Sequence, residues 1–297
     1  MQLVSVVIPA YNEAEAIGPQ LELVQKVMQA SGYPFEVIVV DDGSTDDTAA
    51  IARQQGARVV VHRRRRGVGA ARRTGTTEAR GDIVVMLDGD GSYPAEEIPR
   101  MLALFPDADQ VVGARRRELG SALWLRIATK WFIRQLASLL VGERIPDLNS
   151  GLRAFKRDIM LRYLYLIPDG FSCVTTMTLT FLANGHVVEY VPVDYYKRVG
   201  RSKFHPVRDT YNYLVTVIRI ILFFNPLKFF LPTALAFLAL GLGRFFYHAL
   251  IVHRVPDSDV MLVLTAIIIG AVGLLADLIV SERRRALMDL EINERRT

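Results

Sequence analysis

The sequence predicts an α/β fold with a mostly parallel, Rossmann-like sheet, followed by an interface helix and a two-helix membrane hairpin. Short apolar runs alternate with helix-like segments in the first part of the chain, which is typical of a parallel sheet with helices on both faces. Each of these runs ends in polar loop residues. Two long apolar segments follow near the C-terminus, and they account for the high hydrophobic fraction of 51%.

The strands and helices of the first domain, residues 1–205, are predicted from this alternation. The strand-like runs are Val4–Ile8, Val37–Val40, Arg58–Val61, Ile83–Leu87 and, more weakly, Gln110–Val112. The helix-like segments between them are Ala14–Ala30, Asp46–Gln55, Val68–Ala79 and Ala95–Phe105. Further along come a predicted helix at 121–141, a loop at 146–153, a helix at Phe171–Leu182 and a strand at Val187–Val193. In such sheets ligands bind beyond the carboxyl ends of the strands, so the loops there are the place to expect a site.

The C-terminal part predicts membrane attachment. Residues 206–228 alternate apolar and polar side chains at helical spacing, as in an amphipathic interface helix, although a helix packed on the domain fits the same pattern. The hairpin, 229–280, contains two apolar segments long enough to cross a bilayer, 229–252 and 260–280. A buried core hairpin is the less favoured alternative.

Charge predicts the orientation of this hairpin. The tail, 281–297, opens with Arg283–Arg285, which favours a cytoplasmic C-terminus. No signal-peptide pattern precedes the first strand, so we expect the first domain and both termini in the cytoplasm. Arg244 and Asp277 are ionisable residues within the predicted spans. They are expected to pair, to mark a polar path or to snorkel, with snorkelling favoured for Asp277 and Arg244 left unassigned.

Two carboxylates one residue apart, Asp88 and Asp90, follow the fourth predicted strand. At strand spacing they point the same way and repel each other unless a cation lies between them. Hard oxygen ligands suit Mg²⁺ or Mn²⁺, which in turn suit the phosphates of a nucleotide. The alternative is a solvated Asp-Gly turn.

Composition excludes several other classes of site. Cys173 is the only cysteine, so an internal disulfide and a multi-cysteine zinc site are both excluded. The five histidines lack metal-ligand spacing, and the net charge is +5. Clustered basic residues suit anionic lipid or phosphorylated substrates, or form a solvated face. No nucleic-acid recognition motif accompanies them, so we expect no nucleic-acid partner. The clusters are Arg63–Arg66, Arg115–Arg117, Lys197–Lys203 and Arg283–Arg285.

The loops at the strand ends resemble those of a known family. Val7–Glu13, Val39–Asp46 and Leu87–Asp90 resemble the three signature loops of family-2 glycosyltransferases with the GT-A fold. Asp147–Gly151 and Gly200–Lys203 resemble loops of the polyprenyl-phosphate sugar synthases, a group that includes dolichol-phosphate mannose synthase and undecaprenyl-phosphate glycosyltransferases. The resemblance covers about residues 3–205 and implies a nucleotide-sugar donor and a polyprenyl phosphate acceptor.

The resemblance also implies roles for matching residues on the donor side. Asp90 would be the main metal ligand and Asp88 would contact the metal or the donor sugar. Ser92 stands where the family often places a glutamine ligand. Gly67 and Gly69 open a helix and are expected to form a wall of the donor pocket, although simple helix entry explains them equally well. The residues expected to bind the nucleotide are Pro9, Tyr11, Glu13 and Asp42.

The acceptor side is expected to be basic. A polyprenyl monophosphate is mostly a dianion at neutral pH and needs no strong general base. The resemblance and the basic runs together assign the acceptor phosphate to Arg115, Arg126, Lys197, Arg198, Arg201, Ser202 and Lys203. Asp147 is the nearest candidate base should the acceptor instead be a hydroxyl, and it completes the expected catalytic set with Asp88 and Asp90.

The sequence therefore predicts an inverting, metal-dependent hexosyltransferase on the cytoplasmic membrane face, using a GDP- or UDP-linked sugar and a polyprenyl phosphate. One alternative is a membrane glycosyltransferase that uses a hydroxyl acceptor on another lipid. A second is a non-catalytic membrane subunit that binds a nucleotide sugar. The identity of the sugar and the existence of a homo-oligomer are left open.

Overall fold

The computed structural model describes residues 2–105, 107–116, 134–135, 137–138, 142–170, 172–196, 215, 218–219 and 222–294, with backbone alone for 283–294. The chain divides into two compact units, Met1–Val217 and Ile218–Thr297. The first contains the sheet, and the second contains the apolar helices.

The first unit is built on one seven-stranded sheet with the order β3-β2-β1-β4-β6-β5-β7. Its strands are β1 (Val4–Ala10), β2 (Phe35–Asp41), β3 (Arg58–Val61), β4 (Ile83–Met86), β5 (Gln110–Arg115), β6 (Arg153–Lys156) and β7 (Val188–Val193). All neighbouring strands are parallel except β6, which runs antiparallel to both β4 and β5. The predicted α/β fold with a mostly parallel sheet is confirmed.

The helices follow the strands as the alternation predicts. They are α1 (Ala14–Ser31), α2 (Thr48–Gln54), α3 (Val68–Glu78), α4 (Ile98–Leu102), α5 (Arg157–Tyr163) and α6 (Cys173–Ala183), with 3₁₀ turns at Ala95–Glu97 and Leu164–Leu166. The central strands β1 and β4 are buried along their whole length, as expected of strands covered on both faces. Helix α3 lies especially close to β1, because a Cβ on Gly75 would come within 2.2 Å of Val7 Cγ1.

The sequence-based prediction misses β6 and α5, and it ends β5 too early. Residues 146–153 are predicted as a loop, yet Arg153 begins β6. Its side chain is fully buried and donates to the carbonyl oxygens of Ser150 and Val174. These hydrogen bonds form only in the folded chain, where they satisfy the buried guanidinium. An arginine in the sequence therefore does not by itself indicate a buried strand. The predicted helix at 121–141 and the predicted interface helix at 206–228 lie mostly outside the described residues.

The second unit contains two long apolar helices, as predicted. Helix α7 (Leu227–Tyr247) continues into a π-helical turn at His248–Val252, and α8 (Asp257–Glu294) follows after a short connection. The segments Leu227–Val252 and Asp257–Glu282 are 26 residues each and apolar enough to cross a membrane. At 1.5 Å per residue each spans about 39 Å, more than the ~30 Å of a hydrocarbon core.

The two apolar helices pack closely through glycines. A Cβ on Gly241 would lie 3.1 Å from the backbone nitrogen of Val263, and one on Gly273 would lie 2.5 Å from Cβ of Phe230. Small residues of this kind let helix backbones approach each other in lipid, where apolar surface alone gives no preference for association. The pairing of early with late positions makes the helices an antiparallel hairpin.

An ion pair joins the two helices near their connection. Arg244 Nε lies 2.9 Å from Oδ1 of Asp259, and His248 Nδ1 lies 2.5 Å from Oδ2 of the same carboxylate. Asp259 is completely buried. Arg244 therefore pairs with Asp259, at the start of α8, rather than with Asp277. This ion pair accounts for the charge of Arg244, to which the sequence assigns no role.

Candidate active site

The loops after β1 and β2 are joined to each other by hydrogen bonds. The Asn12 N–H donates to Ser44 Oγ at 2.9 Å, and the Thr45 N–H donates back to Asn12 Oδ1 at 2.8 Å. Asn12 has a φ of +52°, a left-handed conformation that Asn tolerates better than most residues. The Glu13 N–H donates to Thr48 Oγ1. These bonds fix the loop that carries Tyr11 and Glu13, two of the predicted nucleotide-binding residues.

Asp42 organises the loop that follows β3. Its carboxylate is 2% exposed and accepts the N–H groups of Arg66 at 2.9 Å and Gly67 at 2.7 Å. His62 Nδ1 lies 2.8 Å from the same carboxylate, and His62 Nε2 lies 2.9 Å from Thr74 Oγ1. Sequence analysis did not identify His62, because its partners lie on other elements. The same loop contacts the segment that follows β1, because the Arg65 guanidinium lies 4.4 Å from the Tyr11 ring centroid.

Gly67 and Gly69 allow a close approach between backbone segments. A Cβ on Gly69 would lie 1.8 Å from the carbonyl oxygen of Pro168, and one on Gly67 would lie 2.4 Å from that of Asp169. The Gly69 N–H donates to Asp169 O at 2.8 Å, while that of Gly67 is used by Asp42. Both N–H groups are thus engaged within the protein, so contact with the 168–169 segment explains these glycines.

Asp88 lies against a buried arginine. Arg72 is 2% exposed, and its Nη2 lies 2.6 Å from Oδ1 of Asp88. Its Nη1 also donates to the carbonyl oxygen of Gly151 at 3.3 Å. The Asp88 side chain is 34% exposed, so part of this side chain faces solvent. Arg72, which sequence analysis did not identify, holds the orientation of the carboxylate.

Asp90 is buried and organised by its own turn. Its Oδ1 accepts the Ser92 N–H at 3.0 Å and the Ser92 hydroxyl at 2.5 Å. Ser92 therefore supports Asp90 at the position where the family often has glutamine. Within the described residues no group of three His, Cys, Asp or Glu side chains could hold a metal. The two carboxylates are oxygen donors that suit Mg²⁺ or Mn²⁺, provided that phosphate and water oxygens complete the shell.

Asp147 and Arg115 form a buried bidentate ion pair. Arg115 Nε and Nη2 lie 2.7 Å and 2.9 Å from the two carboxylate oxygens, and Asn149 donates its N–H at 2.8 Å. Burial raises the pKa of Asp147, but the Arg115 and Asn149 bonds outweigh it and hold the pKa below its ordinary value. A carboxylate with a lowered pKa is a weak base. Asp147 is therefore suited to holding Arg115 rather than to removing a proton from a hydroxyl.

Tyr93 joins three of these loops and is a further residue that sequence analysis missed. Its hydroxyl oxygen accepts the Gly151 N–H at 2.7 Å, and its ring meets that of Tyr195 edge-on at 5.1 Å between centroids. The Arg115 guanidinium lies 5.3 Å from the Tyr195 ring centroid. The Asp88, Asp147 and Tyr195 loops are therefore in contact at the carboxyl ends of β4 and β5.

The remaining predicted acceptor residues lie outside the described residues. They are Arg126, Lys197, Arg198, Arg201, Ser202 and Lys203. Pro9 is buried within β1, one residue before its end.

Comparison with known families finds two matches that together span both units. Residues 5–164 match the family described as Glycosyl transferase family 2, and residues 225–281 match the family described as GtrB C-terminal hairpin. The first match covers the strand-end loops, and the second covers the paired apolar helices.

Named relatives extend the match over nearly the whole chain. Glycosyltransferase AglJ of Haloferax volcanii is 32% identical over 301 residues, covering 97% of each chain. Undecaprenyl-phosphate 4-deoxy-4-formamido-L-arabinose transferase of Pseudomonas savastanoi pv. phaseolicola is 32% identical over 70% of this chain and 62% of its own length.

A solved structure has the same fold at lower identity. Glucosyl-3-phosphoglycerate synthase from Mycobacterium tuberculosis, in complex with Mn²⁺, UDP and glucosyl-3-phosphoglycerate, superposes with a TM-score of 0.58. The match covers 74% of this chain and 80% of that one at 22% identity. Likeness at this level establishes the shared fold.

Proposed function

This chain belongs to glycosyl transferase family 2, and we propose on that basis that it transfers a hexose from a nucleotide sugar to a polyprenyl phosphate. The undecaprenyl-phosphate transferases among its relatives support this acceptor, as does the match to the hairpin family. The observation that carries the proposal is the contact between two loops. Asp88 and Gly151 are so close that a Cβ on Gly151 would lie 2.4 Å from Oδ2 of Asp88. The loop of the predicted metal ligands, Asp88–Ser92, therefore lies against Asp147–Gly151, the loop that resembles those of the polyprenyl-phosphate sugar synthases.

We assign the donor nucleotide to the loops after β1 and β2, which are joined to each other by hydrogen bonds. Pro9, Tyr11, Glu13 and Asp42 belong to these loops or the strand ends that precede them. Gly67 and Gly69 would lie beside this proposed pocket, where the lack of a side chain leaves room for the backbone of residues 168–169. Whether the nucleotide is GDP or UDP is left to experiment.

Asp90 and Asp88 would hold the divalent ion. When bound, Mg²⁺ or Mn²⁺ would balance the charge that develops on the leaving diphosphate. Arg72 keeps Asp88 oriented through its Oδ1, and Ser92 does the same for Asp90. The mycobacterial synthase crystallised with Mn²⁺ and UDP is consistent with this assignment.

The chemistry proposed for the acceptor needs no strong base. A phosphate monoester has a second pKa near 6 and is mostly a dianion at neutral pH. Attack on the anomeric carbon from the face opposite the nucleotide inverts its configuration. Asp147, whose pKa is lowered by Arg115, suits a phosphate acceptor better than a hydroxyl acceptor. This argument disfavours the alternative of a hydroxyl on another lipid.

Asp147 already balances the charge of Arg115. Most of the positive charge for the acceptor phosphate must therefore come from other side chains. We assign this role to Arg126, Lys197, Arg198, Arg201 and Lys203, with Ser202 as a hydroxyl donor and Arg115 as the residue that organises the loop.

The hairpin would anchor the enzyme in the membrane that contains the lipid acceptor. The arginines at 283–285 follow the second span and favour a cytoplasmic C-terminus. Two spans then return the chain to the side on which it entered, so a catalytic domain of residues 1–205 and the tail 281–297 would both be cytoplasmic. Residues 206–228 would lie at the interface.

Membranes containing the protein test this proposal directly. They would be incubated with undecaprenyl or dolichyl phosphate, Mg²⁺ or Mn²⁺ and a panel of GDP- and UDP-linked hexoses. Lipid-linked sugar formed with at least one donor, and lost on chelation, is the expected result. Binding of nucleotide sugar with no transfer under any condition would favour a non-catalytic subunit.

A further inference from the structure

We propose that Tyr93 is a positioning residue that couples the donor loop, Asp88–Ser92, to the acceptor loop, Asp147–Gly151. The inference rests on the proposed function, because the two loop names follow from it: Asp88–Ser92 carries the proposed metal ligands, and Asp147–Gly151 holds Arg115 and resembles a loop of the polyprenyl-phosphate sugar synthases. Tyr93 directly follows the donor loop, is 3% exposed, and accepts the Gly151 N–H at 2.7 Å. The hydrogen bond joins residues that are 58 positions apart in the chain.

Gly151 is the point at which the two loops interlock. On one side Asp88 Oδ2 occupies the space that a Cβ would fill, and on another the Tyr93 ring carbon Cε2 would lie 2.9 Å from that Cβ. The Gly151 carbonyl accepts from Arg72, which also holds Asp88. The Gly151 N–H is bound by Tyr93 and the Gly151 carbonyl by Arg72, so both backbone polar groups of Gly151 are held by residues outside its own loop. A shift of Tyr93 would therefore be transmitted to the acceptor loop.

The Tyr93 ring extends the coupling to a third segment. It contacts the Tyr195 ring edge-on, and the Tyr196 N–H donates to the Ser92 carbonyl at 2.9 Å. Edge-to-face aromatic pairs of this kind add to the burial of the rings. The Tyr195–Tyr196 segment leads directly into Lys197, the first of the basic residues assigned to the acceptor phosphate.

The hydroxyl of Tyr93 remains protonated at neutral pH. Burial raises the pKa of Tyr93 far above its ordinary value; the Arg115 charge opposes this shift, and the charges of Asp88 and Asp147 reinforce it. A neutral hydroxyl oxygen accepts the Gly151 N–H without adding a negative charge near Asp88 and Asp147. Phenylalanine would keep the ring and remove the hydroxyl that accepts the Gly151 N–H.

Tyr93→Phe tests the coupling, with Tyr190→Phe as a matched control. Among the residues that the structure describes, the buried Tyr190 hydroxyl has no hydrogen-bond partner, so its removal breaks no hydrogen bond there. Three quantities would be measured for the full-length protein in membranes: the Kd for nucleoside diphosphate with Mn²⁺, the rate of donor hydrolysis by water, and kcat/KM for polyprenyl phosphate. For Tyr93→Phe we expect kcat/KM to fall about tenfold, the worth of one lost hydrogen bond, with the other two within about twofold of wild type. Tyr190→Phe should match wild type in all three.

The outcomes separate this inference from the proposed function. Wild-type protein that binds nucleotide but transfers to no polyprenyl phosphate overturns the proposed function and the coupling with it. Wild-type transfer together with wild-type acceptor kinetics in Tyr93→Phe overturns the coupling alone, as does an equal loss of nucleotide binding. Should Tyr93→Phe fail to fold, Tyr195→Leu removes the ring contact instead. Acceptor use should then fall with nucleotide binding intact, and equal losses in both would overturn the inference.

Discussion

Neutralising Asp147 distinguishes an anchoring carboxylate from a catalytic base. Asp147→Asn keeps the shape of the side chain but removes its charge and faces Arg115 with an amide donor. The pair is bidentate, and the side chains of Arg115 and Asp147 are only 11% and 7% exposed. Breaking one side of such a pair costs about 3–5 kcal/mol. A loss of about 3 kcal/mol should lower the melting temperature of the first unit by roughly 6–12 °C.

Thermal unfolding in detergent or nanodiscs measures this cost, and an exposed pair supplies the control. Arg116 Nη1 lies 3.4 Å from Asp194 Oδ1, and both side chains are more than half exposed. Asp194→Asn should therefore change stability by less than about 1 kcal/mol. Arg115→Gln combined with Asp147→Asn should be less destabilised than the sum of the single variants, because each single variant leaves one buried group unmatched.

The reasoning is refuted by the opposite pattern. If Asp147→Asn abolishes transfer while the melting temperature stays at that of the Asp194→Asn control, Asp147 acts chemically. The hydroxyl-acceptor alternative would then be favoured. The pH dependence gives a second check. Because folding lowers the pKa of Asp147, its stabilisation is complete above the ordinary Asp value of about 3.9 and is lost as pH falls below it. Transfer should therefore show no titration of Asp147 between about pH 5 and 8.

Three further predictions concern the metal, the glycine contact and the hairpin. Asp90→Ala should abolish transfer and weaken Mn²⁺ binding, with the circular dichroism of wild type; retained transfer would contradict the metal assignment. Gly69→Ala should destabilise the first unit by more than about 2 kcal/mol, because its Cβ would lie 1.8 Å from Pro168 O. An unchanged melting curve would contradict that contact. Asp259→Asn should loosen the hairpin by weakening its bond to Arg244, seen as faster proteolysis of the connection, whereas wild-type resistance would argue against the ion pair.

Much of the fold could be predicted because its signals are local. Four parallel strands are apolar runs that end in turn residues, and the membrane hairpin is defined by length and composition. β6 was missed for the opposite reason. Its sequence begins with Arg153 and ends with Lys156, and nothing local indicates that Arg153 will be buried against Ser150 and Val174. The strand exists because β4 and β5 pair with it on either side.

The candidate site, too, could be predicted only where its signals are local. The carboxylate motifs stand next to strand ends and were predicted from that position. Their partners are distant in sequence: Arg72 lies 16 positions from Asp88, and Asp147 lies 32 positions from Arg115. The sequence contains no local signal for such pairs, since each residue alone is typical of a solvated surface. The same holds for Arg244, whose partner Asp259 lies across the helix connection.

The central claim is that an already ionised lipid phosphate attacks the sugar nucleotide. The most direct test compares polyprenyl phosphate with the free polyprenol of the same length, using the wild-type protein, one accepted donor and Mn²⁺. We predict sugar transfer to the phosphate at neutral pH and none to the alcohol. Transfer to the alcohol at a comparable rate would contradict the claim, because the protein would then need a base that Asp147 is poorly suited to provide.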